Sequence, residues 1–466
     1  MRSLSDVRPT PEQLAIFSRT KAGVEVIRGA AGSGKTTTAL LKLRSSIGTF
    51  VSRKKRQGGV EPVHILAVTY NRTLKGYIEE LARKQVGATD EIALEILTFA
   101  NWALRLIGKP NLLEDSQRRK LIRGFGAKTG LDDNFLIEEV EYAMSRYLPE
   151  DIKSYLTARR DGRGSVPRIE RPIREILIND VIEPYQRWKS KNKMSDWNDL
   201  AVALCRKQYR YYDVVIADET QDFSANQIRA IMNQLAPTHA VTFVLDTAQR
   251  IYARGFAWQE VGITIRPENS HRLSRNYRNT IEIARFAASL IHGLKIDDDA
   301  TIPDFSKCNR HGPLPIVLKG GFAGQTAYAI KYIKNHVDLS NESVAFLHPL
   351  GGGWFNHLKS SVEAAKLDFV EMTRNSDWPQ GKENIAFSTL YSAKGLEFDH
   401  VIILGLNAEV LPHGDEDEDD RLTTLRRLLA MGIGRAKKSI MLGYKPEDAS
   451  KLLNYFKSDT YQKVSV

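Results

Sequence analysis

"VEVIRGAAGSGKTTTALLKL", residues 24–43, decides the fold. An apolar run long enough for a buried strand leads into "GAAGSGKT", Gly29 to Thr36, and then into the helix-patterned "TTTALLKL". Strand, glycine-rich loop and helix in that order fit G-x-x-x-x-G-K-[ST], a loop whose backbone N–H groups turn inward around phosphates at a helix N-terminus. The spacing predicts a nucleoside triphosphate held by Gly29, Ala30, Ala31, Gly32, Ser33, Gly34, Lys35, Thr36 and Thr37. Lys35 is placed to reach the β- and γ-phosphates, and the Thr36 hydroxyl to hold Mg²⁺.

Such a loop needs a second strand whose terminal carboxylate reaches the same ion, and "DVVIADETQDFS" (213–224) supplies one. Asp218 is expected to hold Mg²⁺ through its water shell. Glu219 is expected to polarise an attacking water, which implies hydrolysis rather than storage. An acidic strand end is the alternative for the dipeptide alone.

Further short apolar runs alternate with helical patterning. "HILAVTY" (64–70) and "TFVLD" (242–246) join the first set. "PIVLKG" (315–320), "SVAFLHP" (343–349), "IAFSTL" (385–390), "VIILGL" (401–406) and "SIMLGY" (439–444) make a second. Two parallel α/β sheets follow, with chemistry at the carboxyl ends of their strands. Residues 100–195, rich in Arg, Lys, Glu and Tyr at helical spacing, read as a helical insertion in the first sheet domain. "RKKR" (53–56) and "DEDEDD" (415–420) read as solvated loops.

The 466 residues are enough for two to four domains, and 42% apolar with 26% charged residues is an ordinary globular balance. A net charge of +11 favours polyanionic partners such as nucleic acid, with simple solubility as the alternative. Two cysteines, Cys205 and Cys308, exclude a disulfide framework or a four-cysteine metal site. No apolar run approaches a membrane span and "MRSLSDVRPT" has no apolar leader core, so no membrane partner and a cytoplasmic location are expected.

"DETQD" (218–222) matches D-E-x-Q-D, and from here the chain resembles the UvrD/Rep/PcrA-like superfamily 1 helicases along nearly its whole length. "PTPEQLAIF" (9–17) resembles the Q motif, which implies that Gln13 reads the adenine edge. "AVTYNRTLKGYI" (67–78) and "LTFANWA" (97–103) resemble strand-contacting motifs, so Tyr70, Asn71, Thr98 and Phe99 are implied DNA contacts; Ala100 stands where histidine is usual. "MSDWNDLAVAL" (194–204) is similar to the D-F-x-D-L segment. "VLDTAQRIYARGFAW" (244–258) resembles the coupling motif. There the resemblance assigns Gln249 to sensing the γ-phosphate and Tyr252 and Trp258 to the DNA side, with Leu245 in place of the usual glycine.

"LSRNYRN" (273–279) implies that Tyr277 stacks on adenine and Arg278 reaches the γ-phosphate. "TLYSAKGLEFDHVIILGL" (389–406) is close to T-x-H-x-x-K-G-L-E-F, with Tyr391 for histidine; Gly395 and Glu397 are then expected at the nucleotide. "LRRLLAMGIGRAKK" (425–438) makes Arg435 a second arginine finger, with Ala430 and Gly434 departing from the usual tyrosine and threonine. Trp102 joins Tyr70 and Trp258 as an aromatic for base stacking, core packing being the alternative for each.

The resemblance implies two RecA-like P-loop NTPase domains: 1–99 with 196–270, interrupted by the insertion 100–195, and then 271–466. The family's second helical insertion is expected to be missing or vestigial, since only about a hundred residues separate Asn279 from Thr389. The implied activity is an ATP- and Mg²⁺-dependent translocase or helicase, 3′-to-5′ in direction. It would act on single-stranded DNA or a single-strand/duplex junction, in repair, replication or phage defence. The departures at Leu245, Tyr391 and Gly434 motivate a second reading, a nucleotide-gated regulatory or scaffold subunit whose protein partner is a nuclease or a repair or defence factor. A nucleotide kinase would explain the P-loop but not D-E-T-Q-D, N-Y-R or K-G-L-E.

Overall fold

The computed structural model describes residues 9–18, 21–29, 33–59, 61–69, 90–160, 168–245, 256–273, 279–294, 310–372, 383–414, 416 and 419–466. Two parallel sheets organise them. The first contains β1 (Gly23–Gly29), β2 (Val63–Thr69), β3 (Ile92–Thr98), β4 (Tyr212–Asp218), β5 (Leu235–Leu245) and β6 (Ser270–Leu273), in the order β3-β2-β4-β5-β1-β6. The second contains β7 (Ile316–Lys319), β8 (Val344–His348), β9 (Phe369–Glu371), β10 (Ile385–Thr389), β11 (Phe398–Ile403), β12 (Ala436–Tyr444) and β13 (Gln462–Ser465). Its order is β13-β7-β12-β11-β8-β10-β9. Every described pairing in both sheets is parallel, so each sheet collects its strand ends on one side.

Parallel sheets are covered on both faces, which is why their central strands are continuously apolar. All seven residues of β4 and all five of β8 are buried. Successive side chains enter opposite layers. In the first sheet Leu66, Val68 and Val215 face one core, while Ile65, Ala67 and Val214 face the other beneath the helix Lys35–Arg56. In the second, Ala345 and Leu347 alternate in the same way with Val344 and Phe346.

The helices between β3 and β4 build a core of their own, with Leu136, Val140, Tyr155, Leu177 and Tyr185 buried in it. Its long rod passes from α-helix (Arg171–Ile176) through a π-helical stretch (Leu177–Ile182) into α-helix again (Glu183–Asn192). Pro184 has no N–H to give and its ring would crowd the carbonyl four residues back; the wider π turns absorb both.

Some sequence expectations change. β3, β6, β9 and β13 were not legible as strands: β3 carries a central Glu95, and the others are three or four residues long. Because β6 pairs with β1, the first sheet runs past the boundary expected at 270/271. "RKKR" is the last turn of the helix Lys35–Arg56 rather than a loop; cations there meet the negative end of the helix dipole, and Lys54 pairs with Asp213 at 2.9 Å. The end of the acidic run is also helical, with Asp419 capping Asp420–Ile433 by accepting from the Leu422 N–H at 2.8 Å. Between Ile281 and Thr389 the described residues form three helices (Ile281–Ile291, Phe322–His336, Trp354–Ala364) with β7 to β10, and no further helical domain is found among them. No described helix is long and apolar enough to cross a membrane.

Candidate active site in the cleft between the sheets

β1 ends at Gly29, and the helix Lys35–Arg56 begins after Gly34, which sits at φ 77 as its N-cap. Lys35 folds back over the loop and donates from Nζ to the Gly29 carbonyl at 2.9 Å. A β-carbon on Gly29 would lie 2.6 Å from the Lys35 Cγ, so glycine is required for that close return. Ser33 is buried, and Thr37 is half-buried on the first helical turn. Gln13 closes one side. Its Oε1 accepts from the Thr10 N–H at 2.9 Å in a capping box, and its Nε2 donates to the Gly34 carbonyl at 3.3 Å. Its amide is thus turned onto the loop.

At the end of β4, Glu219 adopts φ 54, a left-handed conformation that costs a non-glycine residue about 1 kcal/mol or more. This kink starts the short 3₁₀ turn Thr220–Asp222 and keeps three carboxylates, Asp218, Glu219 and Asp222, at one buried strand end. The Thr36 hydroxyl donates to Asp218 Oδ2 at 2.9 Å, joining the phosphate loop's helix to that strand end. The Gln221 amide donates to Glu219 Oε2.

The second sheet supplies cations to the same place. Lys394 Nζ lies 2.5 Å from Asp222 Oδ2 and 3.6 Å from Glu219 Oε2. Arg435 is buried, its Nε 3.3 Å from the Met431 sulfur and its Nη1 3.5 Å from the Leu396 carbonyl. Gly395 takes φ 80 beside Lys394, and Glu397 pairs with Lys437 at 3.3 Å.

The two adjacent acids are driven apart electrostatically. Burial, and next the charge of Glu219, push Asp218 up to about 7 against the Thr36 hydrogen bond and the pull of Lys35. Burial opposes ionisation of Glu219 too, but Lys394, then Arg435 and Lys35, together with the Gln221 amide, hold it below the usual carboxylate range. An ionised Glu219 beside an acid short of positive charge is a site that gains by taking up a cation. Thr36 and Asp218 offer only hard oxygen donors. That set fits Mg²⁺, which is commonly held by one or two protein oxygens together with phosphates and water.

A separate cavity of about 730 Å³ opens between the first sheet domain, the helical insertion and the second sheet domain. Phe99, Arg118, Trp197, Glu138, Tyr391 and Arg421 are among its walls. Trp197 is 47% exposed at the start of the helix Trp197–Arg206, held there by the capping box of Asp196 and Asp199. Buried Lys189 clamps both acids, at 2.7 and 2.6 Å. The Tyr391 phenol is pushed up by burial and receives a hydrogen bond from Arg421.

The structure therefore brings together Gln13, Gly29, Ser33 to Thr37, Asp218 and Glu219 on one side of the cleft, with Gly395 and Arg435 on the other. Ala30, Ala31, Gly32, Tyr70, Asn71, Gln249, Tyr252, Tyr277 and Arg278 lie outside the described residues. Thr98 is buried as the N-cap of the helix Phe99–Ile107, accepting from the Asn101 N–H at 3.3 Å, and Phe99 packs edge-on to Trp102 at 5.4 Å. Trp102 is a core residue, not a stacking platform: it is wholly buried, with its indole N–H given to the Tyr212 hydroxyl at 3.1 Å. Trp258 is half-buried against Phe243 and Phe256, 5.1 and 5.8 Å away. Sequence reasoning passed over Lys394 and Trp197. The first stood in plain view inside K-G-L-E; the second was signalled by an apolar residue directly after a capping aspartate.

Two family profiles match the chain: the UvrD/REP helicase N-terminal domain over residues 10–260 and the UvrD-like helicase C-terminal domain over 356–447. A probable DNA helicase II homolog from Mycoplasma pneumoniae is 23% identical over 348 residues, covering 67% of this chain and 47% of the relative. A probable DNA helicase from the same organism is 23% identical over 455 residues, covering 90% of this chain and 80% of the relative. The ATP-dependent DNA helicase Rep of Escherichia coli is 31% identical over 70 residues, 15% of this chain and 10% of that protein. The chain thus spans about half the length of the first of these relatives. With one profile matched over more than half of its residues and the second over 356–447, a stretch that holds β9 to β12, the chain belongs to the UvrD/Rep-like helicase family.

Proposed function

We propose that this protein is a DNA-dependent ATPase that hydrolyses ATP between its two sheets to move along single-stranded DNA, in the 3′-to-5′ direction that the family resemblance implies. One observation carries the reading. Lys35, Thr36, Asp218 and Glu219 from the first sheet share a buried cleft with Lys394 and Arg435 from the second. A cleft of that kind can close on a nucleotide and open after hydrolysis, which is what alternating grip on a strand requires.

In this reading Lys35 leaves the Gly29 carbonyl for the β- and γ-phosphates, and Thr36 and Asp218 hold Mg²⁺. The ion supplies neutralisation of phosphate charge. Glu219, kept ionised by its cationic neighbours, orients and polarises the water, and Arg435 with Arg278 stabilises charge on the transferred phosphoryl group. Gln13 and Tyr277 hold the adenine, Gly395 and Glu397 meet the ribose and phosphate side, and Gln249 senses the γ-phosphate. Single-stranded DNA, or the strand leaving a junction, lies in the cavity where Trp197 stands beside arginines, a pairing that suits bases and phosphates together. The motifs they belong to make Tyr70, Asn71, Thr98, Phe99, Tyr252 and Trp258 the further strand contacts of this reading. The setting is DNA repair, replication or phage defence, inside the cytoplasm.

The test is steady-state ATP hydrolysis with and without a single-stranded oligonucleotide, beside Lys35→Ala and Glu219→Gln. Stimulation by the strand that vanishes in both variants supports a motor. Nucleotide binding without stimulation would instead favour a nucleotide-gated subunit of a nuclease or defence assembly.

A further inference from the structure

Two turns beyond the phosphate loop, the helix Lys35–Arg56 carries a lysine that plays no part in the hydrolysis described above. Lys42 is wholly buried, and its Nζ lies 2.7 Å from Glu25 Oε2 on β1. The same ammonium donates to the Ile16 carbonyl at 3.3 Å. The other oxygen of Glu25 meets His271 Nε2, on β6, at 3.4 Å. Burial opposes ionisation of Glu25, but the hydrogen bonds of His271 and Lys42, with the charge of Lys42, hold it below the usual carboxylate range. One buried ion pair thus ties together the helix Pro11–Phe17, β1, the helix Lys35–Arg56 and β6.

The short helix needs that tie. Seven residues are too few to hold helical form alone, and the last carbonyls of a helix lack partners within it. The Ser18 N–H donates to the Leu14 carbonyl at 3.1 Å and the Ser18 hydroxyl to the Ala15 carbonyl at 3.3 Å. The Ile16 carbonyl is left to Lys42, whose charge also suits the negative end of the helix. Ile16 and Leu273 of β6 enter the same core, which sets their depth but not their direction. A buried ion pair is often no more stabilising than apolar side chains of the same volume. What it supplies here is fixed geometry, through directed hydrogen bonds to three neighbours.

We infer that Lys42 is a positioning residue for recognition of the adenine base: through the Ile16 carbonyl it fixes the helix that carries Gln13, and through Glu25 and His271 the strand that precedes Tyr277 in the chain. The inference rests on the proposed ATPase reading, in which Gln13 and Tyr277 hold the adenine. Lys42 stands about 10 Å along its helix from Lys35, so it acts on the base through these elements and not on the phosphates. Its loss should weaken binding of adenine nucleotides and leave the chemical step alone.

The test is kcat and KM for ATP and for GTP, with a saturating single-stranded oligonucleotide, in the wild type, Gln13→Ala, Lys42→Arg, and Lys42→Met combined with Glu25→Gln. The combination is used because Lys42→Met alone would strand a buried carboxylate. In the folded double variant, KM for ATP should rise about tenfold, the scale of one or two lost hydrogen bonds, with kcat and the KM for GTP inside about twofold. The preference for ATP should then fall to that of Gln13→Ala, while Lys42→Arg, which keeps the charge and the donors, retains most of it. An unchanged KM for ATP in the folded double variant would overturn the inference and leave the ATPase reading intact. So would an equal rise for ATP and GTP, the mark of general loosening. A wild type that takes ATP and GTP alike would overturn the adenine reading as well, and one that hydrolyses neither would overturn the ATPase reading beneath both.

Discussion

The Gln13 side-chain nitrogen donates to the carbonyl of Gly34 at 3.3 Å, so the short helix Pro11–Phe17 is tied directly to the turn that ends the phosphate loop. Gly34 sits at φ 77, and a β-carbon on it would lie 2.6 Å from that same nitrogen. The left-handed backbone favours glycine here, and a β-carbon would also push the Gln13 amide off the Gly34 carbonyl.

Gly34→Ala should therefore be destabilising on two counts, by about 1–2 kcal/mol for the left-handed backbone with the clash added to it. Gln13→Ala removes the clash partner but also the capping box and the tie, for about 1 kcal/mol or less. In a double-mutant cycle by urea unfolding, Gly34→Ala should cost less in the Gln13→Ala background than alone. Strict additivity would mean that the two residues do not meet as described.

Glu219→Gln keeps the size of a side chain that occupies a kinked, left-handed position and removes only its charge. ATP turnover should fall by about 10²–10⁴, the usual contribution of a positioned base, while binding of a fluorescent ATP analogue stays within about threefold. Turnover near the wild-type level would remove Glu219 from the mechanism.

Acid should weaken the second sheet domain through His348, at the end of β8. Its Nδ1 accepts from the Leu350 and Gly351 N–H groups at 3.1 and 3.0 Å, and its ring stacks on Trp354 at 5.1 Å. Burial pushes the imidazole down to about 4. An unfolded histidine titrates near 6.5, so the unfolded chain gains a proton in that window while the folded one does not. The stability present above pH 6.5 is lost as pH falls toward 4, by about 2 kcal/mol between 6.5 and 5. His348→Asn keeps an acceptor for the two N–H groups and removes the titration. Urea midpoints should fall more steeply from pH 7 to 5 in the wild type than in the variant, and parallel slopes would refute the assignment. His400, also lowered by burial, acts equally in both proteins.

What the sequence disclosed follows from what parallel sheets and phosphate loops demand. β4 reads as a buried strand because both its faces are covered, and Asp218 and Glu219 stand out because carboxylates end an otherwise apolar run. β3 hides because Glu95 interrupts it; that acid is satisfied by Arg105 at 3.2 Å, by Arg210 at 2.8 Å and by the Tyr212 hydroxyl, the last two distant in the chain. Trp102 and Trp197 show the limit more sharply. Both are tryptophans in motif segments, yet one is the centre of a core and the other stands at a cavity, since helix phase and capping set the direction of a side chain. The Lys394–Asp222 pair joins two sheets, and no local pattern announces a contact made only when domains meet.

Trp197 and Arg421 offer a way to separate two kinds of strand contact in one cavity. Trp197 presents an apolar ring, 47% exposed, held in place from below by the Lys189, Asp196 and Asp199 cluster. Arg421 is exposed and carries its charge at the same wall. Trp197→Ala should weaken binding of a single-stranded oligonucleotide by about 1–3 kcal/mol, roughly 5- to 150-fold, because one base loses its stacking surface. That loss should be the same at every salt concentration, since no counterion is released by a ring. Arg421→Gln should weaken binding less at high salt than at low, and reduce the slope of log affinity against log salt by about 1, as expected for one phosphate contact. Fluorescence anisotropy titrations at several salt concentrations measure both quantities. If Trp197→Ala changes the slope, or if neither variant changes affinity, the strand does not run through this cavity.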